Sequence, residues 1–162
     1  MYTMRDSKKV AAQATKDIEA WLLSLTTTID VVNVENNPEY QKADMDLLLT
    51  TKKGSYKIEI KGDRYHKTGN FFFETHSNKE NGTPGCFLYT EADWLFYYFL
   101  IPRSLYLLPM PATRDWFVGH SEHFQEKSTT TKTGASFYTT LGKLVPIAIV
   151  EKEVKGVRKF SL

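Results

Sequence analysis

The strongest constraint on the fold comes from two segments in the first half of the chain, separated by a short polar turn. The first, 43–49, reads Ala-Asp-Met-Asp-Leu-Leu-Leu, and the second, 56–63, reads Tyr-Lys-Ile-Glu-Ile-Lys-Gly-Asp. Alternating apolar and charged residues, as in the second segment, are typical of a half-buried β-strand. The intervening Thr-Lys-Lys-Gly-Ser sequence at 51–55 is typical of a turn. We therefore predict an antiparallel hairpin with strands at 45–52 and 56–62.

The register of this hairpin is predicted from its apolar residues. With the turn at 52–55, the expected apolar pairs are Leu47 with Ile60 and Leu49 with Ile58. These pairs make one face of the hairpin apolar, and a slip of one residue would turn every side chain to the wrong face. The pattern therefore predicts that this face packs against a core.

The same register gathers charged residues on the opposite face of the hairpin. Asp46 lies opposite Lys61, and Glu59 shares their face because residues two apart on a strand point the same way. Two carboxylates and one ammonium can hold a divalent cation beside an activated water. Asp44 lies on the same face and is the alternative ligand, but Asp46 is preferred because it is closer to the apolar strand.

The spacing of these charged residues resembles the signature of the PD-(D/E)xK nuclease superfamily, with twelve residues between Asp46 and the Glu59-x-Lys61 tripeptide. This superfamily includes restriction enzymes, junction resolvases and some homing endonucleases. The proline of its name is absent here, since Met45 precedes Asp46. The resemblance covers roughly residues 8–110 and includes the flanking order of helix, three strands, helix and strand.

The resemblance implies an α/β fold with a restriction-endonuclease-like core, in which a central mixed β-sheet is flanked by helices in the order αβββαβ. Asp46 and Glu59 would hold Mg²⁺, for which Mn²⁺ can substitute, joined by the backbone carbonyl of Ile60. Lys61 would position or polarise the attacking water. Some members carry a further acid on the first helix, where Glu19 is the candidate. The implied activity is metal-dependent endonucleolytic hydrolysis of DNA, with a homodimer or higher homo-oligomer for paired cuts.

Two other functions stay open on the sequence. One is a non-catalytic DNA-binding or recombination accessory protein on the same scaffold, and the other is a structural or partner-binding domain with a coincidental motif. A Glu-x-Lys tripeptide alone is weak, because alternating charge on a solvated strand produces it often. The full set of two acids and a lysine favours the nuclease, since a DNA-binding protein has no need for buried carboxylates near phosphates.

Glu74 and His76 follow the Glu59-x-Lys61 strand closely in the sequence and are further candidates for the cleft.

Composition limits the class of protein. The 162 residues, 41% hydrophobic and 25% charged, are typical of a soluble globular protein with one domain over 1–162. The net charge of +2 means that a DNA-binding surface would need local clusters of cations.

The single cysteine, Cys86, excludes an intramolecular disulfide and is expected to be a small buried residue in a reducing compartment. The most apolar run, 94–101, is too short to span a bilayer, so we expect a cytoplasmic, bacterial or phage-encoded protein without membrane contacts.

The remaining elements are predicted from local patterns. Helical spacing of apolar residues predicts a first helix over 8–25, with Ser7 as its N-cap. The Thr90-x-x-Asp93 sequence has the form of a capping box and predicts a helix over the apolar run that follows, although its aromatic residues also permit a strand. Further strands are predicted at 31–35, 70–75, 104–108 and 143–150, and a further helix at 113–124.

Overall fold

The computed structural model of the protein describes residues 2–162, which form two β-sheets and five α-helices. In chain order the elements are β1 (Tyr2–Thr3), α1 (Met4–Ser24), β2 (Thr28–Asn33), α2 (Pro38–Lys42), β3 (Leu47–Thr51), β4 (Gly54–Asp63), β5 (Asn70–Asn78), β6 (Thr83–Pro84), α3 (Cys86–Tyr89), β7 (Trp94–Phe99), β8 (Ser104–Pro109), α4 (Ala112–His120), β9 (Gln125–Thr133), β10 (Ser136–Pro146), α5 (Ile147–Glu153) and β11 (Arg158–Ser161).

The central sheet is mixed and has six strands in the order β11-β8-β7-β4-β3-β2. Strands β2, β3 and β4 form an antiparallel meander, and β7 then pairs parallel to β4. A second sheet has the order β1-β9-β10-β5-β6. The predicted fold class is confirmed at the level of a mixed central sheet with flanking helices.

One face of the central sheet is covered by α1. Buried side chains from the helix and from the sheet form a common apolar layer: Ala14, Ile18, Leu22, Leu47, Leu49, Ile58, Phe96, Tyr98 and Leu105. The helix approaches β4 so closely that a Cβ added at Gly62 would lie 2.9 Å from the Cβ of Ala14. Burying one large apolar side chain fully contributes about 1.5–3 kcal/mol, so this layer fixes β4 against α1. Over residues 2–162, no helix combines the length and the hydropathy needed to cross a membrane.

The opposite face of the central sheet packs against the second sheet and the three later helices. This layer is rich in aromatic rings and contains Phe71, Phe73, Phe87, Leu95, Tyr97, Phe99, Tyr106, Leu108, Met110, Phe117, Val145, Val150 and Val154. Rings from β5 and α3 stack directly, with the centroids of Phe73 and Phe87 4.2 Å apart. Because residues of β4 alternate between faces, Ile58 points to α1 and Glu59 points into this aromatic layer.

The predicted hairpin register is wrong by two residues. In the structure Leu47 pairs with Ile58 and Leu49 pairs with Tyr56, because only Lys52 and Lys53 separate the two strands. A shift of two residues keeps every side chain on its predicted face, since the side-chain period of a strand is two. The apolar face therefore survives, but each residue of β3 has a different cross-strand neighbour from the one predicted.

Local predictions near the amino terminus and before β7 need correction. The N-cap of α1 is Thr3, not Ser7, and it forms a reciprocal capping box with Asp6. Thr90 is not the N-cap of a following helix: it ends α3, and its hydroxyl donates to the carbonyl of Asp44 and accepts a hydrogen bond from the amide of Ala92. The aromatic run after it forms β7, a fully interior strand between β4 and β8. Burial on both faces suits a continuous apolar strand, which explains why the helix prediction fails.

The strand predicted at 143–150 is correct only in its first half. The ladder between β10 and β5 ends where Pro146 pairs with Asn70, and α5 begins at the next residue. Proline has no amide hydrogen to extend the ladder, and its fixed φ suits the start of a helix. The helix predicted at 113–124 is α4, which ends at His120 and continues as a single 3₁₀ turn.

Candidate active site

Glu59 and Lys61 lie on the same face of β4, as the sequence predicts. Glu59 is only 4% exposed, and its neighbour on β7 is the buried Leu95. Lys61 is more accessible, with 30% of its side chain exposed. Both residues border a small cavity that is completed by residues of β5 and α3, among them Glu74 and Cys86. The cavity therefore has a closed end at Glu59 and a more open end at Lys61.

Asp44, and not Asp46, is the aspartate whose carboxylate reaches Glu59. It precedes β3 with a left-handed backbone (φ 53°), a conformation that aspartate tolerates better than most residues. The Thr90 hydroxyl holds this turn by donating to the Asp44 carbonyl at 3.0 Å. One ligand atom each from Asp44, Glu59 and Cys86 lies within 4.8 Å of the others. These three side chains form the acidic end of the site.

Two oxygens at this acidic end stand out. Within residues 2–162, neither the buried Oδ2 of Asp44 nor the buried Oε2 of Glu59 has a hydrogen-bond partner. A buried polar atom without a partner is costly, and a buried carboxylate is more so. Burial first, and then the charge of Asp44, raises the pKa of Glu59 well above its ordinary value. The pair therefore requires either a proton or a cation between the two carboxylates.

Asp46 has a structural partner in the hairpin. Its Oδ2 accepts the Ile60 amide at 2.7 Å, and its own amide donates to the carbonyl of Ile58 at 2.9 Å. Its carbonyl accepts a hydrogen bond of 2.8 Å from the amide of Val34, the residue directly after β2. The carboxylate thus stands in for a backbone carbonyl where β3 and β4 begin to separate. Burial raises the pKa of Asp46 to about 7, although the bond from Ile60 acts against this shift.

Lys61 contacts the carboxylate of Glu74, which β5 brings to the open end of the site. Burial lowers the pKa of Lys61, but the charge and the hydrogen bond of Glu74, together with other acidic neighbours such as Asp63, outweigh this effect, so the pKa is raised overall. The ammonium therefore stays protonated over the physiological range. Of the two further candidates for the cleft, Glu74 borders the cavity. His76 is not among the residues that line it, and its Nδ1 lies 3.1 Å from the Thr75 hydroxyl.

Cys86 begins α3 directly beside Glu74. The preceding residue is Gly85, and a Cβ there would lie 2.3 Å from the carbonyl oxygen of Glu74. The Gly85 amide donates to the carbonyl of Thr75 at 3.0 Å. Because only glycine allows this approach, α3 can pack against β5 and carry the Cys86 thiol to the acidic residues.

Glu19 lies in another part of the structure. Its Oε1 accepts a hydrogen bond of 2.8 Å from the Asn33 side chain, which also contacts Glu35. The helix that carries it packs on the face of the sheet opposite to Glu59. The structure therefore groups Glu19 with β2, and not with the acidic end of the site.

Sequence reasoning did not find the roles of Cys86 and Thr90 in the site. Both residues come from the segment after β6, about thirty residues beyond Glu59 in the chain. No spacing pattern connects them to the hairpin, because the packing of α3 on β5 decides their position. Comparison of the chain with protein-family models, with curated proteins and with solved structures gives no match in any of the three. Function is therefore inferred from the geometry of the site.

Proposed function

We propose that this protein is a metal-dependent DNA endonuclease of the PD-(D/E)xK type. The observation that carries the proposal is the arrangement of Glu59, Lys61 and Asp44 at the start of the β3–β4 hairpin. Glu59 lies at the closed end of a cavity, where the carboxylate of Asp44 reaches it, and a protonated lysine lies at the open end. Hydrolysis of a phosphodiester uses both kinds of charge. The carboxylates would hold the metal ion that binds the phosphate, and the lysine would offset the negative charge that develops in the transition state.

The connectivity around this site supports the restriction-endonuclease-like core. Helix α1 is followed by the antiparallel strands β2, β3 and β4, then by the short α3 and by β7, which is parallel to β4. Apart from the short helix α2 between β2 and β3, this is the αβββαβ order that the resemblance implies. Strands β5 and β6 are inserted between β4 and α3 and contribute Glu74 to the site.

The acidic end suits a divalent cation. Asp44 and Glu59 supply the hard oxygen ligands that Mg²⁺ and Mn²⁺ accept, and both carry a buried oxygen without a partner among residues 2–162. Asp44 fits the ligand role better than Asp46, whose Oδ2 already accepts the Ile60 amide. When bound, the ion would supply Lewis-acid chemistry at the scissile phosphate.

Lys61 is the residue that we assign to the attacking water and to the phosphate oxygens. Its ammonium lies where solvent reaches the site, and Glu74 keeps it charged and in place. A positioned cation of this kind stabilises the negative charge that develops in the transition state. Glu74 is a positioning residue, because it acts on the reaction through Lys61. The proposed partner is DNA, and paired cuts in a duplex would need a second copy of the chain.

A plasmid assay tests the proposal. Supercoiled DNA should be nicked with Mg²⁺ or Mn²⁺ but not in excess EDTA. Glu59→Gln should nick at least about a hundredfold more slowly while retaining DNA binding, since one positioned charge is lost. Glu151→Gln, on the exposed surface of α5, is the matched control and should cut normally. DNA binding without any nicking would support the non-catalytic accessory protein instead, and wild-type cleavage by a folded Glu59→Gln protein would exclude this site.

A further inference from the structure

The Cys86 thiol lies among oxygen ligands. Its Sγ belongs to the group of ligand atoms from Asp44 and Glu59 that lie within 4.8 Å of one another. Glu59 is 4% exposed and, over residues 2–162, its Oε2 has no hydrogen-bond partner. A structural cysteine commonly packs as a small apolar group, but this one lies beside two carboxylates. Two carboxylate oxygens and one sulfur are therefore close enough together to coordinate a single metal ion.

We propose that Cys86 is a metal ligand, so that Asp44, Glu59 and Cys86 together bind a thiophilic divalent cation such as Zn²⁺ in preference to Mg²⁺. The inference rests on the proposed function only in placing the cation between Asp44 and Glu59. It goes further by adding the thiolate to the ligand set and by naming the class of metal.

The donor atoms decide the class of metal. Magnesium takes oxygen ligands in octahedral geometry, whereas thiolate ligands select softer ions such as Zn²⁺. Ligands about 2.0–2.3 Å from a tetrahedral zinc ion lie roughly 3.3–3.8 Å apart, so inward shifts of about one ångström would complete the site. Water or substrate would fill the fourth position, as in zinc sites that have three protein ligands.

Binding the ion also changes the protonation of Cys86. Burial, followed by the charges of Glu59 and Glu74, raises the pKa of this thiol well above its ordinary value. Without a cation the group is therefore a neutral thiol. When the ion binds, the covalent S–H bond of the thiol breaks, an S–metal bond forms and one proton passes to solvent. No oxidation state changes.

Cobalt titration reports a thiolate ligand directly. Co²⁺ occupies zinc sites, and a cobalt–thiolate bond gives a sulfur-to-metal charge-transfer band in the near ultraviolet. Because the chain has one cysteine, such a band in the monomer can come only from Cys86. We expect a saturable band at one Co²⁺ per chain, which Zn²⁺ removes and an equal concentration of Mg²⁺ leaves in place.

Three variants separate this site from adventitious binding. Cys86→Ser and Cys86→Ala should lose the band and bind Co²⁺ more than about tenfold more weakly. Removing even a residue that only hydrogen-bonds to a metal ligand weakens metal binding by about tenfold or more, so loss of a ligand should cost at least as much. His123→Ala removes an exposed imidazole that lies near His120 and should keep the band at full intensity. Circular dichroism of each variant checks that it is folded.

A second measurement uses the wild-type chain alone and so remains decisive if the cysteine variants do not fold. Zn²⁺ should slow alkylation of Cys86 by iodoacetamide at least tenfold, and the same concentration of Mg²⁺ should not. The inference is overturned if Co²⁺ gives no band and Zn²⁺ gives no protection. Nicking with Mg²⁺ in that case would leave the nuclease proposal standing, whereas a band without nicking under any cation would support this inference and count against the nuclease.

Discussion

The Ile60 amide donates a 2.7 Å hydrogen bond to the Oδ2 of Asp46. This contact gives Asp46 a place in the β-hairpin, where its carboxylate replaces a backbone carbonyl. Asp44 lies two residues earlier, and its buried Oδ2 has no such partner among the described residues. The two aspartates on the same segment are thus divided between holding the hairpin together and reaching Glu59.

This division predicts different effects for the two asparagine variants. Asp44→Asn removes a charge from the group formed with Glu59, so metal affinity and DNA cleavage should both fall by at least about tenfold. Asp46→Asn keeps an oxygen that can accept the Ile60 amide and should retain most of both. Calorimetric titration with Mn²⁺ and the plasmid assay provide the measurements. Equal loss in the two variants would show that Asp46 is also a ligand.

The raised pKa of Asp46 predicts that stability without metal depends on pH. Its ordinary pKa is 3.8 and burial raises it to about 7, so the folded state holds the proton more tightly than the unfolded chain does. This contribution to stability is complete below about pH 3.8 and is lost as the pH rises through about 7. Burial also raises the pKa of Glu59, so this residue changes the stability with pH in the same direction.

Urea unfolding in EDTA between pH 5 and 8 tests this dependence. The free energy of unfolding of Asp46→Asn should fall less over this range than that of the wild type, because the titrating group is gone. Circular dichroism at each pH gives the unfolding curves. An unchanged or steeper fall in the variant would contradict the assignment of Asp46 as a buried, proton-binding carboxyl.

The contact between Lys61 and Glu74 predicts non-additive kinetics. Lys61→Ala should lower cleavage by at least about a hundredfold, and Glu74→Gln should lower it less, since Glu74 acts through the lysine. The double variant should be close to Lys61→Ala alone. In Glu74→Gln the pKa of Lys61 should fall, because burial then acts without the Glu74 carboxylate. The lysine should therefore lose its proton at a lower pH, and the alkaline limb of the pH–activity profile should shift to lower pH. Multiplicative losses with an unmoved pH profile would mean that the two residues work independently.

The close approach at Gly85 predicts a large effect from one methyl group. Gly85→Ala puts a Cβ 2.3 Å from the Glu74 carbonyl oxygen, so α3 must move away from β5 at a cost of about 1–3 kcal/mol. Gly119→Ala is the matched control, because apart from its chain neighbours and the nearby backbone of α4 itself nothing lies within 4 Å of its added Cβ. The control should be neutral or slightly stabilising, since alanine favours helices. Thermal unfolding of both variants gives the comparison, and equal melting temperatures would contradict the close packing of α3.

The sequence by itself determined which residues of the hairpin face which side. Because the side-chain period of a strand is two, the alternation around Ile58 and Glu59 assigns faces correctly even though the predicted register is wrong by two residues. The β-branched and aromatic segments likewise predict β2, β5 and β8 near their observed positions. These are local properties, set by neighbouring residues in the chain.

Only the tertiary structure decided which side chains meet. The two-residue turn at Lys52 and Lys53 sets the register, and with it the partner of each β3 residue. The burial of β7 between two layers makes a strand of a run whose local pattern also fits a helix. The contact of Lys61 with Glu74 and the approach of Cys86 to Glu59 depend on packing between elements remote in sequence. Such packing leaves no periodic signal, because it is fixed by the shapes of buried side chains and not by the order of residues along one strand.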